Sequence, residues 1–162
     1  MPKRIIEHPK FCDMRPAQVM ALLKRNHVGR IAFSFHDRVD MRPIHYAYSN
    51  GWLFGRTSPS DKLITLRHSP WVAFETDEVS GSFDWASVVV RGTFYRLTDE
   101  GTSDERLLYR RALRQIRTID HGALTEADVV PFRSELFGIA IDEATGRSCS
   151  SKPNSSSSES DN

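Results

Sequence analysis

The sequence predicts a mainly β protein in which helices flank a largely antiparallel sheet that closes into a barrel. Six short segments are rich in β-branched and aromatic residues, and most neighbouring segments are joined by short turns. No strand is followed by a glycine-rich turn and a helix in βαβ order, so we expect no Rossmann domain. Many short strands in a chain of 162 residues favour a closed barrel with helices outside it.

Local patterns place the elements along the chain. Asp13 is a preferred helix cap and Pro16 suits a first helical turn. The predicted elements are, in order, an extended arm over 1–13, a helix that fades near Asn26, strands over 28–35, 39–48 and 52–57, a short helix capped by Ser60 or Asp61, strands over 71–76 and 85–97, a helix over 103–119 and a strand over 134–141. Asn50 and Gly51 favour a tight hairpin turn, and Gly92 predicts a bulge or a close backbone approach.

The composition is that of an ordinary globular domain. Hydrophobic residues make up 39% and charged residues 27% of the chain. The net charge of +1 predicts neither a nucleic-acid partner nor attraction to an anionic membrane. No apolar run approaches the ~20 residues of a membrane span or follows the basic start as in a secretory signal, so we expect a cytoplasmic protein. We assign one domain to 14–146 and expect a disordered, serine-rich tail over 147–162.

The cysteines, the histidines and one basic helix have ordinary explanations beside functional ones. Cys12 and Cys149 are interpreted as free thiols. The six histidines show no spacing typical of a metal site. Five arginines on the helix over 103–119 form either a patch for an anionic partner or a solvated face.

The loop after the third strand combines groups that suit a phosphate dianion. Arg56 offers a planar fork of donors, Lys62 a point charge, and Thr57, Ser58 and Ser60 hydroxyl groups. A helix beginning near Ser60 would add free N–H groups and its dipole. The loop contains no Walker motif, so hydrolysis of a nucleoside triphosphate is not indicated. An ordinary solvated turn remains the alternative.

Two other segments could hold a flat heteroaromatic ring. Pro43 lies within a predicted strand, where a proline marks an edge or a lapse in sheet pairing, and Arg42 beside it could hold a negative group. On the fifth strand, Trp85, Ser87 and the neighbouring backbone could line such a ring. An ordinary edge strand and ordinary core packing are the respective alternatives.

Taken together and in this order, these motifs resemble the pyridoxamine 5'-phosphate oxidase-like family of FMN-binding split β-barrel proteins. The resemblance covers about 14–98 and is closer to the branch of nitroimidazole-reductase-like proteins. It is carried by residues 29–32, 42–46, 50–57, Lys62, Leu66, 70–75 and 85–92. The C-terminal Trp and Arg motif that the true oxidase uses for its substrate has no counterpart here.

The resemblance implies a six-stranded antiparallel split β-barrel and a homodimer with two FMN sites at its interface. It implies that residues near the helix start bind the FMN phosphate, while backbone groups of 42–44 and 85–88 lie along the isoalloxazine ring. The implied cofactor-binding residues are Arg42, Pro43, Ile44, Gly55, Arg56, Thr57, Ser60, Lys62, Trp85, Ser87 and Val88.

The function implied is that of an FMN-dependent oxidoreductase acting on a small organic molecule that the sequence does not identify. No catalytic side chain is predicted, because a flavin carries the redox chemistry itself. Two alternatives remain open. One is a non-catalytic module that holds FMN or haem; the resemblance to proteins of this fold that bind haem implies His27 or His45 as the axial ligand. The other is a reductase of the same fold that uses a diffusible deazaflavin.

Overall fold

The computed structural model describes residues 8–66 and 70–151 of the chain. Within these residues it contains eight strands, two α-helices and one short 3-10 helix. The strands are β1 (Lys10–Asp13), β2 (Val28–Phe35), β3 (Arg38–His45), β4 (Ala47–Ser49), β5 (Trp52–Thr57), β6 (Trp71–Gly81), β7 (Asp84–Arg96) and β8 (Glu135–Ser150). The helices are α1 (Pro16–Arg25), α2 (Ser103–Ile116) and the 3-10 helix Lys62–Thr65.

All strands belong to one antiparallel sheet whose two edges are joined through the chain itself. The strand order is β3-β2-β6-β7-β8-β5-β4, with β1 paired to β8. β3 and β4 therefore lie at opposite edges of the sheet, although Tyr46 alone separates them in sequence. The sheet must curl until its edges meet at Tyr46, which makes it a barrel and confirms the predicted fold class.

The structure has eight strands where the sequence predicts six. The predicted strand over 39–48 changes its partner at Tyr46 and so divides into β3 and β4. Residues Lys10–Asp13, predicted as an arm, form β1 against the far end of β8. Local sequence patterns reveal neither β1 nor the separation of β4 from β3, because both depend on which strand each segment pairs with.

Tyr46 holds the closure of the barrel in place. Its side chain is fully buried, and its hydroxyl donates to the carbonyl oxygen of Leu23 at 2.9 Å. Its backbone N–H donates to the carbonyl oxygen of His27 at 2.9 Å, and its ring meets that of Phe74 edge to face. Burial raises the pKa of Tyr46 to about 12. The hydroxyl therefore stays protonated and remains a donor to α1 over the ordinary pH range.

The two helices cover different parts of the barrel. Leu22 and Leu23 of α1 are fully buried in the cluster that fills the barrel. α2 packs outside, where its Ile116 joins Phe54 of β5 and Leu136 of β8 in a second cluster. Among the residues described, no helix is both long and apolar enough to cross a membrane.

The last strand is longer than the sequence predicts. β8 runs to Ser150, so residues 147–150, assigned above to the tail, pair with β1 and β7. Residues 152–162 lie outside the described part of the chain. Cys12 and Cys149 are both free, as expected, even though β1 and β8 are neighbours.

Two predictions about turns and glycines are confirmed. Asn50 and Gly51 have φ values of 43° and 78° at the β4–β5 hairpin turn. The β7–β8 register shifts between Arg91 and Gly92, and a Cβ atom at Gly92 would overlap the carbonyl oxygen of Ala140. The missing side chain at Gly92 therefore allows two backbones to approach closely.

We expect Gly92→Ala to lower the free energy of unfolding by about 1–3 kcal/mol, because the new methyl group must push β8 away. Urea denaturation followed by circular dichroism measures the change. Gly81→Ala is the matched control, since the nearest atom to its Cβ would be 4.0 Å away. Equal stability of the two variants would contradict the close approach.

Candidate functional site

A gap opens in the barrel where β3 and β5 part. β4 pairs with β5 as far as Ala47 and Phe54. Continuing this register would place His45 opposite Arg56, but the chain before Tyr46 pairs with β2 instead, so that His45 faces Val28. The two backbones therefore diverge, and their facing edges are left without a strand between them.

A cavity of about 390 Å³ occupies this gap. One wall is the segment from Arg42 to His45, and the other is the segment from Arg56 to Ser58. The rest of the lining consists of Val28, Asp61, Leu63, Phe132 and Arg133. The volume falls within the range typical of small-molecule sites. Arg42, Pro43, Ile44, Arg56 and Thr57 of the predicted site residues are thus brought together.

Pro43 fits both interpretations that its sequence position allowed. It lies opposite Arg30 of β2 and has no strand on its other side. An edge position tolerates proline, because no ladder hydrogen bond needs the missing N–H. The same residue lines the cavity.

Asp61 holds three polar groups that were expected to bind negatively charged groups of a ligand. Its Oδ2 accepts from Arg42 Nη1 at 2.5 Å and from Thr57 Oγ1 at 2.7 Å. Its Oδ1 accepts from the backbone N–H of Leu63 at 2.9 Å. A guanidinium, a hydroxyl and a backbone N–H thus converge on one carboxylate of the chain itself.

The helix that follows this loop can contribute less to anion binding than the sequence predicted. Asp61 does cap the element, as one of the two predicted caps, but the element is a four-residue 3-10 helix. So short a helix has a small dipole, and the N–H of Leu63 already donates to Asp61. Ser60 is exposed, with its hydroxyl 3.3 Å from that of Ser58. The side chain of Lys62 lies outside the described part of the structure.

Arg56 lines the cavity, but its guanidinium is engaged by two carboxylates. It binds Asp128 through Nη1 at 2.6 Å and Nη2 at 3.0 Å, and Asp120 through Nη2 at 2.5 Å. The side chains of Arg56 and Asp128 are only 8% and 2% exposed. The hydrogen bond from Arg56 holds the pKa of Asp128 well below its usual range. Arg56 thereby ties the segment between α2 and β8 to β5, a role that the sequence did not predict.

Asp128 also organises the backbone of that segment. Its carboxylate accepts from the backbone N–H groups of Leu124 at 2.9 Å and Val130 at 2.9 Å. A carboxylate with a bidentate arginine and two backbone donors is held in a single position. Asp120 and Asp128 stand 64 and 72 residues away from Arg56 in sequence, so no local pattern indicated this network.

Trp85, Ser87 and Val88 on β7 do not line the cavity within one protomer. Val88 is fully buried inside the barrel. The hydroxyl of Ser87 donates to Glu75 at 3.0 Å, and the ring of Trp85 meets that of Phe11 edge to face.

The strand register nevertheless relates two of these residues to the cavity. The register of the β2–β3, β2–β6 and β6–β7 strand pairs places Trp85 and Ser87 on the side of the sheet that faces away from the barrel interior. Pro43 and His45 lie on the same side, and we call this surface of β3, β2, β6 and β7 the outer face. A second copy of the chain packed on it could bring β7 to the cavity.

A second, smaller cavity adjoins the first. It has a volume of about 290 Å³ and lies between Gly55 of β5, the end of α2 and the segment before β8. His45, Arg56 and Arg133 line both cavities. Of the predicted site residues, Gly55 thus belongs to this second compartment. Arg133 was missed, because a single arginine in a loop has no distinctive pattern.

The five arginines of the helix over 103–119 fall into two groups, those that bind the fold itself and those that are exposed. Arg111 donates to the carbonyl oxygen of Ser49 at 2.6 Å, and Arg117 to that of Ala123 at 3.0 Å. Both therefore stabilise the fold. Arg106, Arg110 and Arg114 are exposed. Within 8–66 and 70–151, no group of three or more His, Cys, Asp or Glu side chains is placed to hold a metal ion.

We expect Asp128→Asn to be less stable than the wild type near neutral pH, and the difference to shrink in acid. Because the folded-state pKa of Asp128 lies below its usual value of 3.8, the carboxylate stabilises the fold above that pH. This stabilisation is lost as the pH falls toward the lower folded-state pKa. Urea denaturation at pH 7 and at several points between about pH 5 and pH 3 measures it.

Asp13→Asn serves as the control, because Asp13 is 90% exposed in a 3.5 Å pair with Arg147 and should contribute little. A stability difference for Asp128→Asn that does not change with pH would contradict the role assigned to the carboxylate.

Comparison with known proteins agrees with this architecture. A crystal structure of an FAD-binding protein from Mesorhizobium loti superposes with a TM-score of 0.68 at 26% identity, covering 86% of this chain and 99% of that one. A crystal structure of a candidate 5-nitroimidazole antibiotic resistance protein from Bacteroides thetaiotaomicron superposes with a TM-score of 0.63 at 15% identity. The superposition covers 88% of this chain and 89% of that one. An uncharacterized protein of Rhizobium meliloti is 31% identical over 81 residues, which span 49% of this chain and only 54% of that relative.

The sequence also matches the profile of a protein family over residues 15–148, which is most of the chain. The match spans both α-helices, the split between β3 and β5, and nearly all of β8. It confirms the resemblance drawn from the sequence motifs: the chain belongs to the pyridoxamine 5'-phosphate oxidase family.

Proposed function

We propose that this chain is a flavoprotein that binds a flavin between β3 and β5 and exchanges electrons with a small organic molecule. The observation that carries the proposal is the 390 Å³ cavity at the split, where five of the predicted cofactor-binding residues meet. Membership of the family and the likeness to an FAD-binding protein support it.

The lining of the cavity is compatible with a flavin. The segment Pro43–His45 offers an edge of backbone without a strand partner on the cavity side, along which a flat ring can lie. Thr57 and Ser58 offer hydroxyl groups at the other wall. A bound flavin supplies the redox chemistry, while the protein supplies binding, orientation and electrostatics.

Charge compensation decides which groups are available to a phosphate. Arg56 is saturated by Asp120 and Asp128, so we give it a structural role rather than a phosphate contact. Arg42 is paired with Asp61, which a phosphate would have to displace. We therefore propose Ser58 and Lys62 as the phosphate-binding residues, with Lys62 assigned from the sequence alone. Thr57, whose hydroxyl donates to Asp61, would contact a phosphate only if the phosphate displaced that carboxylate.

The resemblance in sequence implies FMN, whereas the similar protein from Mesorhizobium loti binds FAD. FMN remains our first candidate, because its single phosphate matches the single loop of hydroxyl groups. Titration of the cofactor-free protein with each flavin, followed by fluorescence quenching, separates the two. Steady oxidation of a reduced nicotinamide in the presence of an electron acceptor would then distinguish an enzyme from a carrier.

We expect the purified protein to show the visible absorption bands of an oxidised flavin, or to acquire them when FMN is added. Ser58→Ala should weaken FMN binding by about 1 kcal/mol and Lys62→Ala by about 1.5–3 kcal/mol, because each removes a phosphate donor. Lys24→Ala, an exposed lysine on α1, is the control. A colourless protein that fails to bind either flavin would refute the proposal.

We further propose a homodimer formed through the outer face. Three large apolar side chains on this face are well exposed: Val39 (80%), Met41 (64%) and Trp71 (68%). Val39 and Met41 lie on β3 and Trp71 on β6, the two strands that flank β2, and exposed apolar side chains grouped in this way are typical of an interaction surface. A second copy on this face would cover them and could bring its own Trp85 and Ser87 toward Pro43, as the family resemblance implies.

We expect Met41→Lys to shift the protein toward monomer and to weaken FMN binding in parallel, because it buries a charge in the interface. Analytical ultracentrifugation and a flavin titration measure the two effects. Leu107→Lys is the matched control, since Leu107 is similarly exposed on α2, away from the outer face. If Met41→Lys leaves the protein dimeric, the interface lies elsewhere.

A further inference from the structure

The second cavity has no role in the function proposed so far. Its volume of about 290 Å³ suits a molecule with a single ring. Ile116, Ile119, Val129 and Val130 give it mainly apolar walls, and His45 and Arg133 connect it with the cavity between β3 and β5. A molecule bound there would therefore lie against the place proposed for the flavin.

The walls of this compartment are held in position. Val130 donates its backbone N–H to Asp128 at 2.9 Å, and Arg133 donates its own to the carbonyl oxygen of Val130 at 3.0 Å. Asp128 is fixed in turn by Arg56. Val129 remains 82% exposed on this anchored segment. The fixed segment therefore keeps Val129 beside the cavity, where a bound apolar ligand would cover it.

The compartment retains one cation that can bind an anionic ligand. Asp120 and Asp128, the nearby carboxylates, are both bound by Arg56. The guanidinium of Arg133 lies over the ring of Phe132 and forms no ion pair with any residue that the structure describes. No described side chain or backbone group pairs with the exposed imidazole of His45. Arg133 is therefore the cation available to a ligand shared by the two cavities.

We propose that this compartment binds the substrate, a small carboxylate with an apolar or aromatic body, and that Arg133 binds the carboxylate. The identification as a substrate rests on the flavoprotein function proposed above. The binding of a carboxylate does not depend on that function, because the residues that line the compartment belong to the protein and not to a bound flavin. Arg133 then determines specificity for charge, and the residues around Val130 determine the size of the ring.

Isothermal titration of the protein with benzoate and with benzamide, its neutral analogue, tests the proposal. Benzoate should bind at least tenfold more tightly, since it alone offers a charged acceptor to Arg133. Arg133→Gln should abolish this preference, and Val130→Trp should prevent binding of both probes by filling the compartment. Arg106→Gln, an exposed arginine on α2 outside the compartment, should bind benzoate like the wild type.

The same titration on FMN-loaded protein separates this proposal from the preceding one. Benzoate should then also perturb the visible spectrum of the flavin, because the two cavities share His45 and Arg133.

Binding that depends on Arg133 in a protein that takes up no flavin would uphold the compartment and refute the flavoprotein function. Equal affinity for both probes, or unchanged binding by Arg133→Gln, would overturn the compartment. Loss of FAD but not FMN binding in Val130→Trp would also overturn it, by assigning the space to the adenosine half of FAD.

Discussion

The exchange of partners at Tyr46 is the constraint on which the rest of this structure depends. One nearly continuous strand pairs with β2 before Tyr46 and with β5 after it, and this exchange both closes the barrel and opens the gap beside it. The buried hydroxyl of Tyr46 ties the same point to α1. The stability of the barrel and the existence of the cavity therefore have one physical origin, and the cavity cannot be removed without altering the closure.

The second organising feature is internal neutralisation of charge. Arg56, which the sequence presents as a phosphate-binding cation, and Arg42, which was expected to hold a negative group, each bind carboxylates of the chain. Asp61 receives the same types of donor that a phosphate would need. Recognition at this site consequently depends more on hydroxyl groups, backbone edges and shape than on a strong positive field, and should depend only weakly on ionic strength.

Much of the fold could be predicted from local patterns, whereas the site could be predicted only in part. The hairpin turn at Asn50, the bulge at Gly92 and most strands follow from residue preferences that act over a few positions. The partners of Arg56 lie 64 and 72 residues away, and the division of β3 from β4 depends on which strand each one meets. Contacts between residues so far apart in sequence cannot be predicted from the pattern of residues around either partner. The motifs include five of the residues that line the larger cavity, but they did not show which cations remain available to a ligand.

The pairing of β1 with β8 has a practical consequence for engineering. Lys10 lies directly opposite Ser150, so the first and last strands of the sheet bring both ends of the described chain to one place. Proteins with adjacent termini often tolerate circular permutation. A short linker could join these ends, and new termini could be opened at the turn formed by His36 and Asp37, which both have positive φ. The permuted chain would keep the strand that carries Tyr46 intact.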